Sequence, residues 1–186
     1  MKKIVLIVVA AFAAVTAFAQ PKFAHVNTTE LVQLCPDTDK ARETMTAASN
    51  EAQETFNDMQ AEWNSKLQAY QSKGSTWTQA IRESKEKELT EIQQRLQEFS
   101  QTVQAELQQQ QEQLMAPIYE KANNVIQDLA KKGGYIYVFD ISTLLYVDDA
   151  QSYDLTPDAR KALNIPADRT IESLQAELMA QQSALQ

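Results

Sequence analysis

Residues 38–70 of the chain, TDKARETMTAASNEAQETFNDMQAEWNSKLQAY, open a long polar segment that extends to Lys131 and decides the fold. Apolar residues recur in this stretch every three or four positions, at Met45, Ala48, Ala52, Phe56, Met59, Trp63, Leu67 and Tyr70. The spacing repeats every eleven residues, which is three turns of about 3.67 residues each and therefore close to the period of an α-helix. These residues therefore fall on one face of a long, nearly straight helix.

A second stripe with the same spacing follows Gly74. Its members are Ile81, Lys85, Leu89, Ile92, Leu96, Phe99, Val103 and Leu107. Two amphipathic stripes of similar length bury themselves best against each other, so residues 38–131 are predicted to form an antiparallel helical hairpin with its tip near Gly74. Gly74 suits the left-handed position that ends a helix, and Thr76 with Gln79 has the pattern of a capping box for the next helix.

The return helix is longer than the outgoing one. Its last turns, about residues 114–131, are therefore expected to pack on a separate body rather than on the hairpin. Pro117 removes a hydrogen bond from a helix interior, so a kink there is expected where the arm meets the body.

The N-terminus has the pattern of an export signal. Two lysines precede an uncharged apolar run from Ile4 to Phe18, and Ala17-Phe18-Ala19 fits a cleavage site. We therefore predict that residues 1–19 are a secretory signal peptide, and that the mature chain begins at Gln20 and is exported. Nothing downstream is apolar enough to replace this run as a membrane anchor.

Charge and cysteine content exclude several functions. The formal charge is −8, and loss of Lys2 and Lys3 with the signal makes it −10, which argues against nucleic acid and anionic membranes as partners. Cys35 is the only cysteine, so there is no internal disulfide and no thiolate metal cluster. It is either a partly buried free thiol or the site of an intermolecular disulfide, and the first is favoured.

The remaining residues are predicted to form a small body with three strands. In residues 20–37, Lys22–Val26 is a strand, and Asn27 with Glu30 caps a short helix. In residues 132–165, Gly133 and Gly134 end the hairpin, and Tyr135–Phe139 and Leu144–Val147 are apolar throughout, as expected of strands covered on both faces.

The rest of the chain continues the body and adds an extension. Thr156 and Pro157 have the pattern of a helix start. Residues 166–186 form a C-terminal extension whose helix carries Ile171, Leu174, Leu178 and Leu185. The extension is predicted to be either a coil that stabilises a trimer or a flexible tail. His25 is the only histidine, and a packed or interface role is favoured over catalysis because no partner group is visible.

The order of these segments resembles the Skp/OmpH family of periplasmic chaperones. The residues that carry the resemblance are Phe23-Ala-His-Val-Asn, the hairpin, Gly134-Tyr-Ile-Tyr-Val-Phe-Asp, Leu144-Leu-Tyr and Asp154-Leu-Thr. The resemblance implies an α+β fold with a long antiparallel helical-hairpin arm projecting from a small β-rich trimerisation body, as in a jellyfish or prefoldin. It also implies an ATP-independent holdase that encloses unfolded outer-membrane proteins between the arms.

The small core per chain independently points to oligomerisation. The residues predicted to form the trimer body are Phe23, His25, Val26, Ile136, Val138, Leu145 and Val147. Aromatic and methionine side chains suit weak, adaptable contacts with many clients. The predicted client-binding residues are Phe56, Met59, Trp63, Tyr70, Trp77 and Phe99. Alternatively, each of them packs between the two helices and stabilises the hairpin. This alternative is weakest for Trp77, because it lies at the tip.

An envelope adaptor and an enzyme are the alternatives to a chaperone. A structural or adaptor coiled-coil protein of the envelope would use the same hairpin to bind one defined partner. An enzyme is disfavoured, since the sequence has no nucleophile elbow, metal-ligand spacing or phosphate loop, and no catalytic residue, metal or cofactor is predicted. Relatives are often basic, whereas these arms carry more acidic than basic residues, which makes lipopolysaccharide binding doubtful.

Overall fold

The computed structural model describes residues 21–184 and contains two compact units. The arm unit is Pro36–Tyr119, and the body unit combines the residues up to Cys35 with those from Glu120 onward. The predicted signal peptide and Leu185 lie outside the described residues. Residues 114–131 are divided between the two units at Tyr119 and Glu120, so their packing on the body stays a prediction.

Long helices and a small sheet make up these units, in an α+β arrangement. The helices are α1 (Thr28–Leu34), α2 (Pro36–Lys73), α3 (Gln79–Gly133), α4 (Thr156–Ala162) and α5 (Ile171–Ala184). The strands are β1 (Lys22–Val26), β2 (Tyr135–Asp140) and β3 (Ser152–Asp154). Helix α3 continues as one element through Pro117.

The sheet has β1 in the centre with β2 and β3 as parallel neighbours. Parallel strands need a crossover, and between β1 and β2 the chain supplies it with three helices. Ala24 and Val26 of β1 are buried, and so are Leu31 and Leu34 of α1 and Leu163 after α4. These side chains form the core of the body, and Cys35 lies buried beside them in the chain as a free thiol.

The predicted boundaries of β1 and of the α1 cap are confirmed. The Asn27 side chain accepts a hydrogen bond from the Glu30 N–H at 3.0 Å, and its amide donates to the Glu30 carboxylate at 3.4 Å. His25 is a packed residue, with Nδ1 2.9 Å from the Ser152 hydroxyl of β3. This contact links the two strands through side chains as well as through their backbones.

The arm unit is the predicted hairpin. Every stripe position of α2 is half-buried. Among the stripe positions of α3, Ile81 alone is exposed. Ion pairs cross between the helices, with Lys66 Nζ 3.0 Å from Glu88 and Arg95 3.4 Å from Glu62. We call the sixteen positions of the two predicted stripes the seam. Ile92 is its most deeply buried member, at 2% exposed.

The turn at the tip differs from the prediction in two details. Gly74 does not take a left-handed conformation, because Gly74–Thr76 forms a 3₁₀ turn closed by the Trp77 N–H on the Gly74 carbonyl. The helix cap is Thr78, whose hydroxyl lies 3.5 Å from the Ile81 nitrogen, whereas the Thr76 hydroxyl donates back to Lys73. The 3₁₀ turn shifts the start of α3, so the capping-box assignment to Thr76 and Gln79 is wrong.

The other end of α3 needs its glycines. Gly134 has a φ of 69°, the left-handed conformation that ends many helices. A Cβ atom on Gly133 would lie 2.1 Å from the ring of Tyr135, which itself stacks on Tyr153 at 5.7 Å between centroids. Only glycine fits at 133 without displacing this aromatic pair.

The predicted third strand is wrong. Residues 141–143 form a 3₁₀ turn and residues 144–147 have no regular structure, whereas the strand that pairs with β1 is Ser152–Asp154. An apolar run predicts that a segment is buried, but it does not identify the segment or partner chain that buries it. Leu145 and Tyr146 have no cover in their own chain.

The C-terminal extension belongs to the body unit. Helix α5 packs against α1, and its Leu174 is 5% exposed. The Arg160 guanidinium bonds to the Glu30 carboxylate of α1 and to the carbonyls of Pro166 and Arg169, which precede α5. The extension is therefore fastened within its own chain, an arrangement that the two predicted alternatives did not include.

Asp140 joins the end of β2 to the start of α1. Its carboxylate accepts hydrogen bonds from the Ser142 N–H at 2.8 Å and from Thr28. Burial raises the pKa of Asp140, but the hydrogen bonds from Ser142 and Thr28 outweigh it and hold the pKa below its usual range. The ionised form is thus the one that stabilises the body.

The Asp140→Asn variant should lose about 1 kcal/mol of unfolding free energy at neutral pH, because an amide oxygen replaces a charged acceptor. A carboxylate whose pKa is lowered by folding stabilises the folded state at pH values above its pKa in the unfolded chain, about 3.9. This contribution disappears as the pH falls through the pKa of the folded state. Denaturant titrations should therefore show the variant and the original chain converging as the pH falls through the lowered pKa of Asp140. A constant difference from pH 2 to pH 7 would contradict this role.

Candidate functional site

The largest exposed apolar side chains concentrate on the body unit. They include Leu145, which is fully exposed, and Tyr146, which is 82% exposed, both in the segment between β2 and β3. Ile136, Tyr137 and Phe139 of β2 are also exposed. Large exposed apolar side chains gathered on one unit indicate a contact site.

Aromatic rings on the sheet contact one another. Phe23 of β1 pairs with Tyr137 in register and stacks on it at 6.4 Å between ring centroids, and Tyr137 lies 5.9 Å from Phe139. All three remain exposed at their outer faces. We call Phe23, Tyr137, Phe139, Leu145 and Tyr146 the body patch.

The structure separates the residues predicted for the trimer body into two groups. His25 and Val26 are buried within their own chain, and Val138 and Val147 are half-buried. Phe23, Ile136 and Leu145 are exposed. Sequence reasoning missed Tyr137, Phe139 and Tyr146, although they stand in the same apolar runs, because it assigned those runs to strands covered on both faces.

The predicted client-binding residues all belong to the arm unit and are half-buried. Phe56, Met59, Trp63, Tyr70 and Phe99 are seam residues. Trp77 was expected to be uncovered at the tip, but it is half-buried because it packs edge-to-face on Tyr70, at 5.9 Å between ring centroids. Each of these side chains therefore contributes to the hairpin and presents only part of its surface to solvent.

Two clefts run along the hairpin. One, of about 380 Å³, is lined by Phe56, Phe99, Val103 and Leu107 with serine, alanine and glutamine neighbours, and has no charged residue. The other, of about 580 Å³, is lined by Glu62, Lys66, Glu88, Arg95 and other mainly charged residues. These two clefts therefore differ in charge.

The charged cleft is internally paired. Hydrogen bonding to Glu88 raises the pKa of Lys66, and hydrogen bonds from Lys85 and Lys66 lower the pKa of Glu88. Nearer the tip, a hydrogen bond to Glu86 raises the pKa of Tyr70. The Lys66–Glu88 and Tyr70–Glu86 contacts join α2 to α3, and the acidic residues that line the cleft outnumber the basic ones by four to two.

Among residues 21–184, no cluster of histidine, cysteine, aspartate or glutamate has the geometry of a metal site. Within the same range, no helix combines the length and apolarity needed to span a bilayer.

A long helical hairpin and a small parallel sheet with an exposed apolar patch define a class of hairpin-armed α+β proteins. The family described as outer membrane protein (OmpH-like) matches residues 22–163, so the chain belongs to the OmpH-like family. The resemblance drawn from the sequence is confirmed.

A solved structure supports the same fold. The crystal structure of a candidate outer membrane chaperone (OmpH-like) from Caulobacter crescentus CB15 matches with a TM-score of 0.68 and 16% identity. The match covers 78% of this chain and 85% of that one. No curated protein matches the chain. Family membership supports a chaperone role in general terms.

Proposed function

We propose that this protein is an ATP-independent holdase of the periplasm that keeps unfolded outer-membrane proteins soluble between the arms of a homotrimer. The proposal extends the general chaperone role that family membership supports. It includes no catalysis and no cofactor.

The body patch is the observation that carries the assembly. Its side chains are large and apolar, and the single chain leaves them in water. Burying such surface at about 25 cal/mol per Å² favours association strongly. Three copies that join their patches would gain the shared core that one chain lacks, and each would carry one arm.

The arms are proposed to hold clients by numerous weak apolar contacts. The half-buried rings of Phe56, Trp63, Trp77 and Phe99, together with Met59 and Tyr70, present apolar edges between polar side chains. Weak contacts allow release, whereas a tight site for one sequence would prevent it. The acidic balance of the chain makes anionic partners such as nucleic acid, anionic membranes or lipopolysaccharide poor candidates.

The mature protein is expected to keep a urea-unfolded outer-membrane β-barrel protein soluble after dilution. Because apolar contact dominates, affinity should change little between about 50 and 500 mM salt, since screening weakens only the Coulomb term. The Trp63→Ala, Trp77→Ala double variant should bind about fivefold more weakly with an unchanged mass. Tyr119→Ala, which removes an exposed ring outside the seam, is the control.

A tenfold loss of affinity at high salt, with the double variant unaffected, would show that charge holds the client. An envelope adaptor would behave differently again. It would capture one folded partner and leave the unfolded barrel protein to aggregate, and that outcome would replace the holdase.

A further inference from the structure

The two sides of the hairpin are chemically different. In an α-helix, neighbouring residues differ by about 100° in direction, so the residue after each seam position lies on one side and the residue before it on the other. In an antiparallel pair the matching sides of both helices meet. The clefts agree, since Gln53, Ser100 and Gln104 line the uncharged one and Glu62 and Glu91 line the charged one.

The side that follows the seam has no charge over most of its length. Every residue directly after a seam position is uncharged and polar from Thr46 to Gln71 in α2 and from Thr90 to Gln108 in α3. All of these residues are exposed. We call this surface the amide side, because glutamine and asparagine predominate on it, and we call the opposite surface the charged side.

Solubility and helix formation do not account for the amide side. Lysine and glutamate favour a helix about as well as glutamine does, and the charged side uses them. There, the charges bond across the hairpin, as in Lys66 with Glu88. On the amide side Gln60, Asn64, Gln93 and Gln97 are described residues whose side chains make no hydrogen bond within the chain, so their donors and acceptors face solvent.

We propose that the amide side binds the backbone of an extended segment of an unfolded polypeptide. A carboxamide carries a donor and an acceptor, the same pair that a peptide group presents, so it recognises backbone whatever the sequence. The uncharged cleft beneath, with Phe56 and Phe99 in its lining, receives alternate apolar side chains. From Thr46 to Gln71 in α2 and from Thr90 to Gln108 in α3, no charged residue directly after the seam would repel a segment of either charge.

The length of the amide side fits one kind of occupant. From Thr46 to Gln71 a helix advances about 37 Å, which an extended chain covers with about eleven residues. A membrane-spanning β-strand has about 9–11 residues and alternates apolar with polar side chains. The inference rests on the proposed holdase function and names the part of the client that the arm binds, namely one unpaired barrel strand.

Two matched variants test the inference. The amide variant replaces four central residues of the amide side, Gln60→Ala, Asn64→Ala, Gln93→Ala and Gln97→Ala. The control variant replaces four uncharged residues that precede seam positions, Thr44→Ala, Thr55→Ala, Ser84→Ala and Thr102→Ala. Neither changes the net charge, and alanine favours the helix, so both arms should fold.

The probes are an unfolded outer-membrane β-barrel protein, a peptide of about ten residues from one of its strands, and the same peptide with alternate backbone nitrogens methylated. The original protein and the control variant should prefer the unmethylated peptide. The amide variant should bind it about tenfold more weakly and lose the preference, as expected for the loss of one to two net hydrogen bonds. It should also hold the unfolded protein less well.

Equal binding by the amide variant and the original chain would overturn the inference and leave the holdase function standing. Equal losses in both variants would also overturn it. A changed assembly mass in the amide variant would show that the amide side contacts another copy instead. Failure of the original protein to hold the unfolded client would overturn the proposed function itself.

Discussion

Leu145→Asp is expected to convert the proposed trimer into single chains at micromolar concentration. Leu145 is fully exposed in the single chain, so aspartate there costs the isolated fold almost nothing. In an assembly formed by the body patch the same substitution would bury three carboxylates, and each unpaired buried charge costs several kcal/mol. Light scattering coupled to size exclusion should show the mass falling to that of one chain.

Met179→Asp is the matched control for this experiment. Met179 is also a large, exposed apolar residue of the body unit, at 67%, but it lies on α5 outside the body patch. Its variant should keep the original mass. A trimer that survives Leu145→Asp would place the assembly surface elsewhere, and an original chain that is a stable folded monomer would remove the trimer altogether.

Arg160→Ala should lower the unfolding free energy by about 2–3 kcal/mol. The Arg160 side chain is 15% exposed, and its guanidinium bonds to Glu30 and to the Pro166 and Arg169 carbonyls. Its loss leaves a largely buried carboxylate without its cation and frees the segment that leads into α5. Amide hydrogen exchange should therefore rise in residues 166–184 more than in the arm.

Lys161→Ala tests the specificity of that effect. Lys161 is the next residue, is 82% exposed and has only a 3.8 Å pair with Asp158 on the same helix. Exposed pairs of this kind contribute little, so its variant should unfold like the original chain. Similar losses from both substitutions would indicate a general charge effect, and unchanged exchange in α5 after Arg160→Ala would show that other contacts hold the extension.

The hairpin was predictable because the helical spacing of apolar residues and the position of the helix-ending glycine agree over a long stretch. The seam positions follow helical spacing, and a single glycine separates the two stripes, so few alternative pairings exist. The strand β1 and the Asn27 cap were predictable for a similar reason, since each depends on neighbours within a few residues. The resemblance to the OmpH-like family added the order of the segments.

The candidate site was only partly predictable. The apolar runs 135–139 and 144–147 predicted an apolar contact surface on the body. Which residues face solvent, such as Tyr137 and Tyr146, depends on the register of β2 and the path of the following turn. The amide side required knowing which flanks of α2 and α3 meet. That depends on the antiparallel pairing of two distant segments.

By itself, the sequence determined the two amphipathic helices, the glycine stop at Gly133 and Gly134, the first strand and the acidic balance, because local spacing and composition specify each of them. Only the tertiary structure decided that Ser152–Asp154 is the third strand, that the tip turns through a 3₁₀ turn and that Arg160 fastens the C-terminal extension. These features are contacts between residues far apart in the chain. An apolar or polar pattern states what a segment must bury or expose, and the neighbour that satisfies it is selected by the packing of the whole unit.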